Sequence, residues 1–391
     1  MRLRVRAYNV GFGDCILLSW DELDRVHHAW VDFGTHFRDD DSSYPGVVAS
    51  VQAATGGQLD LLMVTHRHLD HLAGFYATRQ QLADQFQIER IWYAHVTPTL
   101  DAKFELAMTR LGTLLPDELL TGSSTIAAIY QNNLGISNKD RMAGIAGLVH
   151  PTAVFAIHRE LDLTNALPPG WSEMALDVLG PEQDSAKYFA PIDTSLRTRA
   201  ALDAHVDAWA SVGAPEAIDV TAAGEGDTRI DDPTAVPDFL KLADFARLRR
   251  LLRGGGTDLL AAVNTSRNNT SIVSRWRWRD VTLLLTGDAE LETWQIMRDL
   301  GTNFASTVLK VGHHGSINAS PAWSYEQVFP TRKSGNAILL STNPATFNDV
   351  NEVPKEEVVE GWTRRMRYPS RFRRTDSVAR GAYVEHVFDR A

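Results

Sequence analysis

Apolar and charged residues alternate through the first nine positions, MRLRVRAYN, a period of two that predicts a strand with its arginines on one face. A glycine-rich turn, GFGD at 11–14, leads into CILLSW, and HAWVDFG follows at 28–34, so residues 1–34 read as a hairpin with a further strand. Helical spacing follows at 43–56, then a short apolar strand, LDLLMVT. GFYATRQQLADQF at 74–86 has the spacing of a helix, and ERIWYAH at 89–95 that of a strand. Residues 101–149 are mostly helical in pattern, and MALDVLGP at 174–181 reads as a strand ending at Gly-Pro. Further helical stretches at 195–211 and 237–253 are separated by a Gly/Asp/Pro-rich link and closed by the triple glycine at 254–256. Strand character returns in TSIVSRWRW and VTLLLTGD; the helix AELETWQIMRDLG, the strand STVLKV and the loop GHHGS complete the pattern. Strand-rich blocks at both ends around a helical middle predict an α+β fold. We expect one domain over 1–391, a two-layer β core with helical insertions at about 101–149 and 187–256.

Composition narrows the function classes. The 391 residues are 44% hydrophobic and 23% charged, enough apolar material for a sizeable core. The single cysteine, Cys15, excludes an intrachain disulfide and fits a reducing compartment. The N-terminus has no secretory apolar run, and no window reaches the roughly 18 apolar residues of a membrane span, so a cytoplasmic protein without membrane association is expected. A net charge of -10 gives a global field that does not favour nucleic acid. Locally the balance reverses: RRMRYPSRFRR at 364–374 carries six arginines and no acid, and RLRRLLR lies at 247–253. Each is either a solvated face or a rim for phosphate oxygens, with Arg371, Arg373 and Arg374 as the candidate contacts.

The chemistry concentrates where LLMV stops at HRHLDH. A strand running into a loop projects alternate side chains to one side, so His66 and His68 can share one metal ion, while Asp70 and His71 lie just beyond, where a turn aims them at a second. Four ligands do not hold two ions well, and two later strand ends have the same form. Asp288 follows Gly287 in LLLTGDAE, where its carboxylate could bridge both ions or cap the next helix, or do both. His313 and His314 follow STVLKVG, ahead of Gly315 and Ser316, whose backbone N–H groups could be exposed.

Together these segments resemble the metallo-β-lactamase superfamily, and most closely the hydrolase domain of ComEC-type competence proteins and its soluble relatives. The resemblance is carried by YNVGFGD at 8–14, DFG at 32–34, HRHLDHLAG at 66–74, NNTSI at 268–272, LLTGDAE at 284–290, LKVGHHGS at 309–316 and TDSVARG at 375–381. They run in the family's order over most of the chain outside the insertions. It implies a four-layer αββα sandwich and two divalent ions, zinc with manganese or iron as alternatives. It also implies His66 and His68 on the first ion, Asp70 and His71 on the second, and Asp288 between them. His314 is favoured over His313 as the remaining ligand, His313 instead contacting substrate. Asp32 and Asp14 are implied as acids that orient the histidine loop, Asp14 with the alternative of a turn-forming aspartate. One departure stands out. The further histidine that many members carry in a G-H-T/S-x-G setting has no counterpart among His95, His150, His158 and His205, so the first ion is expected to be weakly held or open.

Such a centre would lower the pKa of bound water and hydrolyse its substrate, with Asp70 and Asp288 as catalytic groups. The resemblance points to a phosphodiester, either nucleic acid or a compact nucleotide-like substrate. The missing G-H-T/S-x-G context argues against thioester and β-lactam cleavage; a non-phosphate ester or lactone remains an alternative. So does a different class, a metal-binding or degenerate scaffold that docks a protein partner through the helical insertions.

Overall fold

In the computed structural model, which describes residues 1–22, 25–36, 41–114, 125–133, 135–196, 259–344 and 353–389, the N-terminal alternation is realised as strand β1 (Arg2–Tyr8), with Leu3, Val5 and Ala7 buried between the arginines. β1 pairs antiparallel with β2 (Cys15–Asp21), and β2 with β3 (Val26–Phe33). β4 (Gln58–Val64), β5 (Gln87–Ala94) and β6 (Val154–Ile157) then add in parallel. β13 (Tyr383–Asp389) closes the other edge, giving a seven-stranded mixed sheet in the order β13-β1-β2-β3-β4-β5-β6. Arg2 and Arg6 face Asp389 and Glu385 directly across the β1–β13 ladder, at 2.6 and 2.7 Å, where opposite charges stabilise a strand pair.

The second sheet has six strands. β7 (Met174–Gly180), β8 (Val273–Trp278) and β9 (Val281–Leu285) run antiparallel to one another. β10 (Val308–Lys310), β11 (Ala337–Leu340) and β12 (Phe372–Arg374) extend β9 in parallel. One continuous apolar core joins side chains of both sheets, with Trp20 of β2 6.2 Å from Trp276 of β8 and Trp171 packed against both. Separate clusters form where helices Tyr44–Thr55 and Leu69–Ala77 meet the first sheet, and where helices Leu291–Asp299 and Glu356–Arg364 meet the second.

Strands β6, β11, β12 and β13 were not separable in the sequence pattern, being short or continuous with neighbouring apolar residues. The helix expected from Gly74 begins five residues earlier, at Leu69 inside the histidine motif. The first insertion folds as helices Pro98–Leu114, Thr125–Asn133 and Gly135–Ala146. Leu100, Phe104 and Leu111 share a small core with Tyr188, Phe189, Leu259 and Val263 at the two ends of the second insertion. The rest of that insertion from residue 197, with most of the helix expected at 195–211, the one expected at 237–253, the basic run at 247–253 and His205, lies outside the described residues. Among the described residues no helix is long and apolar enough to cross a membrane.

Two histidines of the sheets give the fold a pH dependence. Burial pushes His28 of β3 and His386 of β13 down from the usual 6.5 to about 4. Both are neutral in the folded chain and take up a proton on unfolding, so their contribution is fully present above pH 6.5. It is lost as pH falls from 6.5 toward 4, by about 3 kcal/mol for each. The thermal midpoint should therefore drop steeply between pH 6.5 and 4.5, and less so in His28→Asn; an equally steep curve in that variant would count against the assignment.

Candidate metal centre

The histidine loop leaves β4 at Val64 and turns into the helix Leu69–Ala77, which puts Asp70 and His71 in the first helical turn. Two glycines let the loop settle against β3 and the GFGD turn. A Cβ on Gly13 or Gly34 would collide with backbone of Leu69 or Asp70, which explains the G in both motifs. Asp32 takes a left-handed φ of 54° that aims its carboxylate back at the loop. It accepts hydrogen bonds from the backbone N–H (2.7 Å) and hydroxyl (2.7 Å) of Thr65 and from Nδ1 of His71 (2.8 Å).

From the second sheet, β9 delivers Asp288 and β10 delivers His313 and His314, whose left-handed φ values of 45° and 53° fold the chain tightly past the strand end. Donor atoms of Asp70, His71, Asp288 and His314 all lie within 4.8 Å of one another, every one buried. His71 Nε2 is 3.2 Å from Asp288 Oδ2, and His314 Nε2 is 3.1 Å from Asp70 Oδ2. His66 Nε2 and His68 Nδ1 face each other at 3.0 Å beside this group.

Hydrogen bonding on the outer side of each ring fixes what the inner nitrogen offers. His66 Nδ1–H donates to the Thr65 hydroxyl oxygen (3.2 Å), whose own proton goes to Asp32. His68 Nε2–H donates to the amide oxygen of Asn133 (2.8 Å), an orientation set because the Asn133 amide nitrogen donates to the Ile129 carbonyl. His71 Nδ1–H donates to Asp32, and His314 Nδ1–H to the Ser341 carbonyl (3.1 Å). The inner nitrogens of His66 and His68 are thereby left as lone pairs facing each other, an arrangement that repels itself unless a cation sits between them, and those of His71 and His314 point at carboxylates. Two imidazole nitrogens 3.0 Å apart are a few tenths of an ångström closer than the roughly 3.4 Å between two ligands at about 2.1 Å from one tetrahedral ion, a spacing that a small outward shift reaches. Burial supports this by holding His66 well below the usual imidazole range and His68 down to about 4, both neutral.

The charge balance agrees. Asp14, Asp32, Asp70 and Asp288 are buried with one ammonium, that of Lys310, so the rest of their neutralisation falls to the protons of His71 and His314 or to a cation. Burial works against the charged forms of His71 and His314, but Asp288 and the other carboxylates outweigh it and raise both. Their protons and a divalent cation compete for the same place. The donor set therefore fits metal binding.

Of the remaining candidates, Asp14 accepts an ion pair from Lys310 and holds the loop through its backbone N–H to the Asp70 carbonyl (3.0 Å). His313 is outside the buried cluster, half on the wall of the adjoining cavity, with Nδ1 3.5 Å from Glu290. The arginines are not brought to the cluster. Arg371 binds the carbonyls of Asn336 and Gly335 at the opposite ends of the parallel strands, Arg374 pairs with Asp376 at 2.5 Å, and Arg373 is exposed. His95 and His158 meet edge to face at 5.1 Å and His150 caps a short turn, so none of the three joins the cluster.

Three participants escaped sequence reasoning. Lys310 sits in an apolar strand and reads as an outward-facing residue, yet is 1% exposed. Asn132 and Asn133 come from the first insertion and carry no spacing signature. Asn132 receives the backbone N–H of Asp70 (3.3 Å) and donates to Asp70 Oδ1 (3.0 Å). The cavity over the cluster measures about 310 Å³ and is walled by Phe12, His36, Ile129, Asn132, Asn264 and Lys355. No protein-family model matches the chain, and no curated protein matches it.

Proposed function

We propose that this chain is a metal-dependent hydrolase of the metallo-β-lactamase type, its two sheets and flanking helices forming a four-layer αββα sandwich, and that it cleaves a compact phosphodiester. The observation that carries this reading is the set of four histidines whose outer nitrogens are all engaged and whose inner nitrogens converge with Asp70 and Asp288. His66 and His68 would hold one divalent ion, Asp70, His71 and His314 a second, with Asp288 shared. When bound, such ions acidify a water molecule and polarise the phosphoryl oxygen.

The chain's own residues do the rest. Asp32 and Asn133 keep the rings of His71 and His68 from rotating away, and Asn132 occupies Asp70 Oδ1 so that Oδ2 is the oxygen turned to the reaction. Phe12, 4.1 Å from the His314 ring, shields the cluster from bulk water. His313, which with His36 is an imidazole of the cavity wall outside the cluster, is assigned to the leaving-group oxygen. A cavity of about 310 Å³ is at the small end for ligand sites and suits a nucleotide-sized diester better than a duplex. Among the described residues its wall carries Lys355 as a cation and none of the arginines at 371–374.

The test is a panel of bis-p-nitrophenyl phosphate, a dinucleotide, duplex DNA, an aryl ester and a lactone, each with zinc, manganese or iron. Hydrolysis of the diesters, abolished by chelation and restored by metal, is expected. Turnover of the ester or lactone alone would reassign the substrate, and no turnover with a metal-loaded protein would leave the scaffold reading in its place.

A further inference from the structure

The first helical insertion is bound to the histidine loop by three asparagines. Asn138 donates to the Arg67 carbonyl (2.8 Å), Asn133 accepts from His68 Nε2 (2.8 Å), and Asn132 engages both the backbone and the carboxylate of Asp70 (3.3 and 3.0 Å). All three are buried, at 1%, 0% and 8% exposure, and they lie 62 to 71 residues away along the chain. A lid or docking module needs none of these bonds. From them we infer that the insertion is an integral part of the metal centre, and that Asn133 and Asn132 are positioning residues that set how His68 and Asp70 present their donor atoms to a divalent cation.

Each amide acts on a different donor atom. The Asn133 amide nitrogen is committed to the Ile129 carbonyl and to Asn264 Oδ1, both at 2.9 Å, so only its oxygen can face His68. That oxygen accepts and cannot donate, which forces the proton onto His68 Nε2 and leaves Nδ1 as the ligand atom. Asn132 acts on the oxygen choice of Asp70. Its amide proton holds Oδ1, and its own oxygen satisfies an N–H in the first turn of the helix, a group with no partner inside the helix. Asn138 touches no side chain of the histidine loop: its amide nitrogen binds the carbonyls of Arg67 and Asn132 (3.1 Å), and its oxygen accepts from Arg141 Nη1 (2.9 Å). It is therefore the control for a purely structural effect.

The inference rests on the metal reading above, and the two can fail separately. The full chain, stripped with chelator, is titrated with Zn²⁺ and with Co²⁺ against a competing indicator. Asn133→Leu should weaken one bound equivalent by about 10- to 100-fold, and Asn133→Asp, which restores an acceptor for His68, should recover it. Asn132→Ala should weaken the other equivalent. Asn138→Ala should lower the melting temperature while both affinities hold. In the wild-type protein, ¹⁵N-coupled NMR should find His68 protonated at Nε2. Wild-type affinities in both Asn133→Leu and Asn132→Ala would overturn the inference, as would an affinity loss in Asn138→Ala matching theirs. A wild-type chain that binds neither cation would instead overturn the reading on which it rests.

Discussion

Asp288→Ala is expected to yield a folded protein that has lost its metal stoichiometry and essentially all diester hydrolysis. The carboxylate lies 3.2 Å from His71 Nε2 and 3.6 Å from His314 Nε2, and it shares with Asp70 the position of an acid within reach of both rings. Burial works to raise it, but the charges of His71, His314 and Lys310 hold it well below the usual carboxylate range. Removing it from a cluster with surplus negative charge does not strand a cation, because Lys310 keeps its pair with Asp14. The fold should therefore survive, while the several kcal/mol that a bound ion contributes to a transition state is forfeited, a rate loss on the order of a thousandfold or more. Asp288→Asn preserves the acceptor for the His313 N–H (3.0 Å) but not the charge, and should be as inactive as the alanine variant. Elemental analysis and steady-state kinetics on both variants decide the matter; activity within tenfold of wild type in either removes Asp288 from the chemistry.

The second large effect falls on stability. Lys310 is 1% exposed in the middle of the second sheet, bonded to Asp14 and 3.8 Å from Asp288 Oδ1. Burial opposes its charge, yet Asp14 and Asp288 outweigh that and raise its pKa. Lys310→Met keeps the volume and deletes the charge, leaving Asp14 buried with an oxygen, Oδ1, that already lacks a partner. Breaking such a pair from one side costs about 3 to 5 kcal/mol, because the surviving ion has no compensation. Pairing the change with Asp14→Asn should recover most of the loss, since an amide is far cheaper to bury than a carboxylate. Urea denaturation of the two single variants and the double variant measures the coupling. Purely additive losses would mean that the ion pair is not what holds the sheets at this point.

These two residues also mark where the sequence was legible. Asp288 stood at the end of an apolar strand in a glycine-preceded motif, and so did His314; clustered imidazole after LLMV was visible as candidate metal chemistry because those residue types are rare at a buried strand end. The strands β1 to β5 and β7 to β10 followed from period-two alternation or short apolar runs. Lys310 was hidden because one charged residue in STVLKV is read as the solvent face of a strand, whereas the whole of β10 is buried. Asn132 and Asn133 were hidden for a different reason. Amides carry no charge pattern, and their partners lie across a tertiary contact that no local period encodes. The position of the arginines at 371–374 was not legible either, because charge density says nothing about where in the fold a side chain lies: Arg371 binds backbone at the far end of the strands, and Arg374 pairs with its neighbour Asp376.

Cys15 lies on β2 with no exposed surface, its sulfur accepting a hydrogen bond from the Trp30 indole at 3.3 Å and its thiol pushed far up by burial. Maleimides and other thiol-directed dyes should pass it by in the native state. A cysteine introduced at an exposed position such as Lys333 would then be the single reactive handle on the folded chain, so fluorescence or spin-label probes can be attached site-selectively without first engineering out the natural one.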